Sequence, residues 1–342
     1  MNFIKIGIDG LGFENDPLIA YQAAKNSLAI YDDLEITLVT SQQVIDATKD
    51  DHVDRLKLVL AKEFASQEDT VNLIRTHNDL SIQIACDLLA TDQVDGLVAS
   101  GNTAITIATA FVKVGTYPNI PKFGLMITMP TMNPGKLVWL IDTGANRSVT
   151  GKTLYDYAVM TNVYVSKIHN INHPRIGLIN IGTEEHKGLP EHKEADTLIR
   201  QNKTLNYIGF VEPNNILTGE DADVYICNGY TGNIILKTLE GTMKMVGKFL
   251  KTEYTKWFNA LPYVANRHIL NKFKERFNAN PWAGAYLLGL RKPIIKGHSR
   301  TDEAQLSTCI RMMHDALKKK VFKIMEHEFD KINNEQSRTT TN

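Results

Sequence analysis

The stretch VDGLVASGNTAITIATAFVKV, residues 94–114, carries the reading of the fold. Val94–Ala99 is a short apolar run of the length of a buried strand, and Thr103–Val114 has the apolar spacing of a helix. Between them Ser100-Gly101-Asn102-Thr103 supplies small residues for a turn and a side chain able to cap a helix. The same order of strand, turn and helix recurs along the chain. Strand-like runs fall at Phe3–Asp9, Leu34–Thr40, Leu137–Asp142, Arg175–Ile181, Asn206–Val211 and Asp223–Cys227. Helical spacing falls at Pro17–Tyr31, Leu80–Ala90, Thr153–Ile168 and Thr231–Leu250. This alternation predicts an α/β protein, a three-layer α/β/α sandwich with a largely parallel sheet whose ligands meet the carboxyl ends of the strands. After about residue 230 the pattern turns to long helical stretches, Thr231–Asn278 and Thr301–Phe329, with one strand-like run, Pro293–Lys296, between them. A single domain over residues 1–332 with a helical C-terminal part is expected. The polar tail Asn333–Asn342 is expected to be disordered.

Composition narrows the function. Lys plus Arg and Asp plus Glu are both 38, so no global basic excess drives nucleic-acid binding, and any charged partner is met locally. Cys86, Cys227 and Cys309 lie far apart without a CxxC pair, against a disulfide framework or a structural zinc site. No apolar run is long enough to span a bilayer, and the first residues do not read as a signal peptide, so a cytoplasmic protein is expected.

Four strand ends run directly into Gly, Asn, Ser or Thr clusters: Ser100–Thr103, Asp142–Asn146, Asn180–Glu184 and Asn228–Asn233. Such turns let a ligand approach the backbone, and where one opens a helix its free N–H groups attract an anion without any lysine. One cluster alone reads equally well as a plain strand-to-helix turn; four in one sheet predict a shared crevice. Other motifs fail on inspection. Gly10-Leu11-Gly12 follows the first strand as a dinucleotide fingerprint would, but Asn15 stands at the third glycine position. Gly151-Lys152-Thr153 resembles the end of a P-loop, but Asn146 stands where its first glycine belongs. There is no GxSxG elbow and no HExxH pair, and Cys227 reads as a small core residue, so neither a triad, a cofactor nor a metal is expected.

Residues 244–282 form a projecting basic and aromatic segment, with Lys244, Lys248, Lys251, Lys256, Arg267, Lys272, Lys274 and Arg276 among Trp257, Phe258, Tyr263, Phe273, Phe277 and Trp282. This pattern suits an anionic membrane surface or an acidic protein, and equally a dimer-forming helical hairpin with a solvated basic face.

Taken in order, SGNT at 100–103, DTGAN at 142–146, GLINIGTEEHKG at 177–188 and NGYTGNIILKTLEG at 228–241 resemble the PlsX family of phosphate acyltransferases, as do the weaker IGIDGLG at 6–12 and GLRKPIIKGH at 289–298. The chain departs from the family at Phe13, Glu14 and Asn15, which replace a Gly-Asp-His run, at Ala104 for glycine, at the basic cluster reduced to Arg75, and at Asn228 for aspartate. The resemblance implies a fold of the isocitrate and isopropylmalate dehydrogenase type, shared with phosphotransacetylases, and a homodimer. It implies the formation of acyl phosphate from acyl-acyl-carrier-protein and inorganic phosphate at the start of bacterial phospholipid synthesis. Phosphate is already a competent nucleophile, so the implied work is to hold phosphate and the developing oxyanion in place. Lys187 and Asn228 match catalytic positions. Ser100, Gly101, Asn102, Thr103, Asn146, Gly182, Thr183, Thr231, Asn233 and His298 match the phosphate- and substrate-binding lining. The implied partners are acyl carrier protein, phosphate, a second copy, an anionic membrane surface and a downstream glycerol-phosphate acyltransferase. The alternatives are a phosphotransacetylase-like enzyme using acyl-coenzyme A and a non-catalytic carrier-protein- or membrane-binding paralogue.

Overall fold

The computed structural model describes residues 3–254, 260–277 and 283–339. Its strands are β1 (Ile4–Asp9), β2 (Leu34–Thr40), β3 (Leu56–Leu60), β4 (Gly96–Ala99), β5 (Gly124–Pro130), β6 (Leu137–Ile141), β7 (Arg175–Ile179), β8 (Asn206–Val211), β9 (Val224–Ile226), β10 (Gly284–Leu288) and β11 (Ile294–Gly297). Its helices are α1 (Leu18–Ile30), α2 (Gln42–Ala47), α3 (Leu73–Thr76), α4 (Ser81–Ala90), α5 (Thr103–Lys113), α6 (Gly151–His169), α7 (Pro190–Gln201), α8 (Gly229–Tyr254), α9 (Ala260–Arg276), α10 (Glu303–Lys318) and α11 (Val321–Thr339). Every strand expected from the sequence is present, and the mostly parallel α/β organisation is as expected.

The single domain expected over residues 1–332 divides into two compact units. One comprises Met1–Ile127, Val159–His173 and Asn280–Asn342, and the other Thr128–Ala158 and Pro174–Ala279. The unit boundaries fall inside β5 and α6. Both units are built from the same alternation of buried strand and covering helix, so no shift in composition marks the boundaries.

In the first unit the strand order is β3-β2-β1-β4-β11-β10-β5. Ile6, Ile8, Leu34, Leu38, Leu97 and Val98 are fully buried, as strands covered on both faces require. The β10–β11 hairpin returns from the far end of the chain, with β11 parallel to β4 and β10 antiparallel to β5. Helix α10 packs beneath it, capped by Asp302, whose Oδ1 accepts from Gln305 N at 2.8 Å. Gly96 admits this helix: a Cβ there would lie 2.5 Å from Met313 Sδ.

In the second unit the order is β6-β9-β7-β8, all parallel, around the buried side chains of Trp139, Leu140, Leu178, Tyr225 and Ile226. The Arg175 guanidinium donates to both carboxylate oxygens of Asp223, at 3.2 and 2.9 Å, and ties the start of β7 to the segment entering β9.

Three strands were not legible beforehand. β3 is half-exposed, β5 ends in proline, and β10 opens on Gly284-Ala285, all poor β signals. Tertiary packing overrides them: a Cβ on Gly284 would meet Ile295 Cγ2 at 2.7 Å. The tail expected to be disordered from Asn333 is helical through Thr339, because extending a nucleated helix adds a hydrogen bond per residue without needing new apolar contacts. Lys256, Trp257, Phe258 and Trp282 lie outside the described residues.

Candidate active site

In the second unit, three loops leave the carboxyl ends of the neighbouring parallel strands β6, β9 and β7. The first turns about Asp142, which is fully buried. Its Oδ1 accepts from Gly144 N at 2.9 Å and Ala145 N at 2.8 Å, and its Oδ2 from Asn146 N at 2.8 Å and Asn146 Nδ2 at 3.1 Å. The aspartate of DTGAN is therefore the hub of its own turn. Asn146 also donates through Nδ2 to Tyr157 Oη at 2.9 Å, and its carbonyl accepts from Gly229 N at 2.8 Å. That contact joins the second loop, where α8 begins. Gly232 is required here, since a Cβ would collide with the Asp142 carbonyl oxygen.

Asn228 is nearly buried, and its Oδ1 accepts from Thr231 N at 2.8 Å, the bond of a helix N-cap. Thr231 and Asn233 lie in the first turn of α8. Asn233 faces the DTGAN turn, with its Cγ 3.9 Å from where a Gly144 Cβ would stand. Cys227 is buried against the Asp142 carbonyl, and burial pushes its thiol well up, which fits a core role.

The third loop follows β7 and carries Lys187. Its Nζ lies 2.7 Å from Glu184 Oε1, folded over Gly182, where a Cβ would come within 2.6 Å of Glu184 Oε2 and Lys187 Cδ. The Lys187 ammonium holds the Glu184 carboxyl below the usual range. Both partners are open to solvent, Lys187 at 37% exposure, so the pair is readily exchanged for another anion. Thr183 is exposed beside it. Asn180, missed by sequence reasoning as a site residue, is 5% exposed with neither amide atom hydrogen-bonded, and it stands against Gly188. His192 accepts from Leu189 N at 3.3 Å and so helps cap α7.

In the first unit the loops after β1, β4 and β11 leave three adjacent parallel strands. Asn102 caps α5 through Oδ1, which accepts from Ile105 N at 3.2 Å, while Nδ2 donates to the carbonyls of Ser66, Gln67 and Asp69 at 3.0 to 3.2 Å. Its side chain is thus wholly engaged in scaffolding. Ser100 is buried with its hydroxyl unpartnered, Gly101 is buried, and Thr103 is exposed at the first turn of α5. His298 is exposed, and its Nδ1 accepts from Arg300 N at 3.1 Å. The altered loop of the first strand has its own partner: Arg300 Nε donates to Glu14 Oε2 at 2.7 Å, and Glu14 N to Ser299 O at 2.8 Å.

Two charged residues of this unit were also missed as site residues. Asp9 is 3% exposed, and burial pushes its carboxyl up to about 7 against hydrogen bonds from Ser81 and Leu11 N–H and the charge of Lys296. Lys296 is 5% exposed, and burial pulls its ammonium down to about 8. Their signal was weak: a lone Asp ending one strand and a lone Lys inside another.

With this geometry in view, similarity decides the family. The family model described as "Fatty acid synthesis protein" matches residues 4–324. The chain is 37% identical over 319 residues to a phosphate acyltransferase of Ureaplasma parvum serovar 3, covering 93% of this chain and 95% of that one. The chain belongs to this family. A phosphate acyltransferase of Bacillus cereus is 31% identical over 331 residues, with 96% and 99% covered. Among solved structures, a phosphotransacetylase from Streptococcus pyogenes matches with a TM-score of 0.62 at 19% identity, covering 92% of this chain and 94% of that one. A 4-hydroxythreonine-4-phosphate dehydrogenase from Klebsiella pneumoniae matches with a TM-score of 0.51 at 11% identity, covering 92% and 98%. These two likenesses concern the fold, and they agree with the dehydrogenase-type architecture expected from the sequence.

Proposed function

We propose that this chain is a phosphate acyltransferase, which transfers the acyl group of acyl-acyl-carrier-protein to inorganic phosphate and releases acyl phosphate for phospholipid synthesis. The observation that carries the reading is the match to phosphate acyltransferases over more than nine-tenths of both chains. The polar turns at the ends of β7 and β9 support it. Lys187 is the cation for phosphate or the thioester oxyanion, released from Glu184 when substrate arrives. Gly182 and Thr183 of the same loop, with Thr231 and Asn233 of α8, supply the polar lining, while Asn146 and Asn228 contribute by holding the DTGAN turn and the start of α8 in place. In the first unit Ser100, Gly101, Thr103 and His298 have the corresponding binding role, and Asn102 serves it by capping α5 and holding the 66–69 segment. Incubation with long-chain acyl-carrier protein and phosphate yields acyl phosphate on this reading, detected directly by mass spectrometry. Faster turnover of acyl-coenzyme A would instead favour a phosphotransacetylase-like enzyme, and binding without turnover a non-catalytic paralogue.

Helices α8 and α9 present exposed Met245, Phe249 and Ile269 together with exposed Lys244, Lys248, Lys251 and Lys272. No helix among the described residues is long and apolar enough to cross a membrane. The helix pair suits reversible attachment to an anionic membrane from the cytoplasmic side, where a downstream glycerol-phosphate acyltransferase would receive the labile product, and it also suits a homodimer seam. Charge reversal at Lys244, Lys248 and Lys251 is expected to abolish sedimentation with anionic vesicles, as high salt would. Unchanged sedimentation would leave only the dimer role, read by light scattering.

A further inference from the structure

The loop between β7 and α7, residues 181–188, is bonded to itself. Lys187 N donates to the Glu184 carbonyl at 3.0 Å, and the Lys187 ammonium lies 2.7 Å from Glu184 Oε1. Among the described residues no hydrogen bond or ion pair ties 181–188 to the rest of the unit. Apolar packing does not hold the loop either, since Ile181 is 81% exposed and Leu189, at its other end, is exposed as well. A segment with so few anchors shifts at small cost, and the contact that sets its position is the solvent-exposed Glu184–Lys187 pair.

Two glycines mark where the loop touches its own unit. A Cβ on Gly182 would lie 2.8 Å from Lys187 Nζ, so the cation rests on that glycine. Gly188 has φ +97°, and a Cβ there would stand 2.7 Å from Asn180 Oδ1 and 2.9 Å from Asn180 Nδ2. A Cβ is one bond, about 1.5 Å, from its Cα, so the Gly188 backbone lies against the amide. Among the described residues the Gly188 N–H has no acceptor, and a small rotation of the glycine brings it to Asn180 Oδ1.

The sheet fixes Asn180 itself, whose N–H donates to the Val211 carbonyl at 2.9 Å. Its side chain is buried, with neither Oδ1 nor Nδ2 partnered among the described residues. An amide buried in that state destabilises the fold relative to an apolar group of the same size. An unpaired acceptor and an unpaired donor thus face each other across a contact that is one rotation short of a hydrogen bond. Every residue concerned belongs to the second unit.

We propose that Asn180 is a positioning residue for Lys187: phosphate displaces the Glu184 carboxylate, the 181–188 loop settles on the end of β7, and the Gly188 N–H donates to Asn180 Oδ1. The inference rests on the role given to Lys187 in the acyltransferase reading above. Lys187 and Gly188 are consecutive, so fixing the glycine fixes the root of the lysine side chain. Glu184 is the resting occupant of the anion position, and phosphate competes with it. The ammonium keeps a counter-charge in both states, whereas the buried amide is paired only in the loaded one, which biases the loop toward the state that holds phosphate.

The test follows deuterium uptake of the 181–189 segment with and without inorganic phosphate above its KM, together with melting curves and the KM for phosphate, in wild type, Asn180→Leu and Glu184→Gln. In wild type, phosphate slows the exchange. Asn180→Leu melts no lower than wild type, because an apolar group replaces an unpaired amide, yet phosphate no longer slows exchange. Its KM for phosphate rises about tenfold, more than kcat falls, as loss of one buried hydrogen bond requires. A residue that only held the strand end would behave in the opposite way, losing stability while phosphate affinity stayed. Glu184→Gln covers the case in which leucine is not tolerated: the exposed pair contributes little to folding, and KM for phosphate falls about threefold or more as the competing carboxylate is removed. The proposal is overturned if phosphate leaves wild-type exchange unchanged, if Asn180→Leu keeps wild-type protection and KM or melts lower with KM unchanged, or if Glu184→Gln does not lower KM. Absence of acyl phosphate from wild type would instead refute the acyltransferase reading, since the exchange measurement needs no turnover.

Discussion

The strand ends of the two units invite comparison, because each collects loops from three adjacent parallel strands and yet uses its polar residues differently. In the second unit the Asp142 carboxylate is saturated by four donors of its own turn, and the Asn228 amide caps α8. In the first unit Asn102 alone plays that scaffolding part, while Asp9, Ser100 and Lys296 are buried with capacity left over. A polar residue that is prominent in a motif can be there to build the turn. Unused bonding capacity, rather than prominence, marks the groups free to take another partner.

The largest effect that would break this comparison lies at Asp142. Asp142→Ala leaves four donors without their acceptor in a dry turn, and a loss of roughly 4 kcal/mol or more is expected in denaturant unfolding, enough to prevent isolation of folded protein. A stable Asp142→Ala variant would show that the turn does not depend on the carboxylate.

Lys187 sharpens the contrast from the other side. Among the described residues its ion-pair partner is a solvent-exposed carboxylate, so Lys187→Ala is expected to leave the melting curve unchanged while acyl-phosphate formation falls about 10²–10³-fold. Turnover within a few-fold of wild type would remove the lysine from the reaction.

Position 228 gives a smaller effect. Asn228→Ala should lower stability by about 1 kcal/mol through loss of the cap, whereas Asn228→Asp keeps an oxygen acceptor for Thr231 N and should be neutral in stability. If turnover of Asn228→Asp rises above wild type, position 228 also serves the chemistry; if it stays level, capping is its whole role.

The smallest effect is a pH dependence far from either set of loops. His314 Nε2 lies 2.8 Å from Asp33 Oδ1, and Lys318 Nζ lies 2.8 Å from Asp33 Oδ2. The hydrogen bond from Lys318, with that from His314, holds the Asp33 carboxyl down to about 2, and the carboxylates of Asp315 and Asp33 raise His314. The stability due to His314 is therefore full below its unfolded value of about 6.5 and is lost as pH rises through its raised folded value. That due to Asp33 is present above its unfolded value and is lost as pH falls through about 2. Asp33→Asn should cost more stability at pH 6 than at pH 9, by roughly 1 kcal/mol in urea unfolding. Equal losses at both pH values would mean that the histidine does not charge.

Much of the architecture was legible in the sequence because buried parallel strands are local signals: Phe3–Asp9, Val94–Ala99 and Arg175–Ile181 are apolar whatever lies beside them. The strands that escaped, β3, β5 and β10, are edge, proline-ended or glycine-opened, and their conformation comes from neighbours distant in the chain. The loops at the strand ends were legible for the same local reason, as glycine and capping residues declare a turn. Whether Asn102, Asn146 and Asn228 serve the turn or a ligand was not, since an amide in a strand-to-helix turn looks the same in either role until its hydrogen bonds are known.

By itself the sequence determined the alternation of strand and helix, the position of each polar loop at a strand end and, through the order of those loops, the family. The tertiary structure alone decided the division into two units, the return of the β10–β11 hairpin between β4 and β5, and the cross-strand register of Asp9, Ala99 and Lys296. The physical reason is that periodicity and capping act over a few residues, whereas register between strands from opposite ends of a chain is set by packing, and only packing reveals which charges are left buried and incompletely paired.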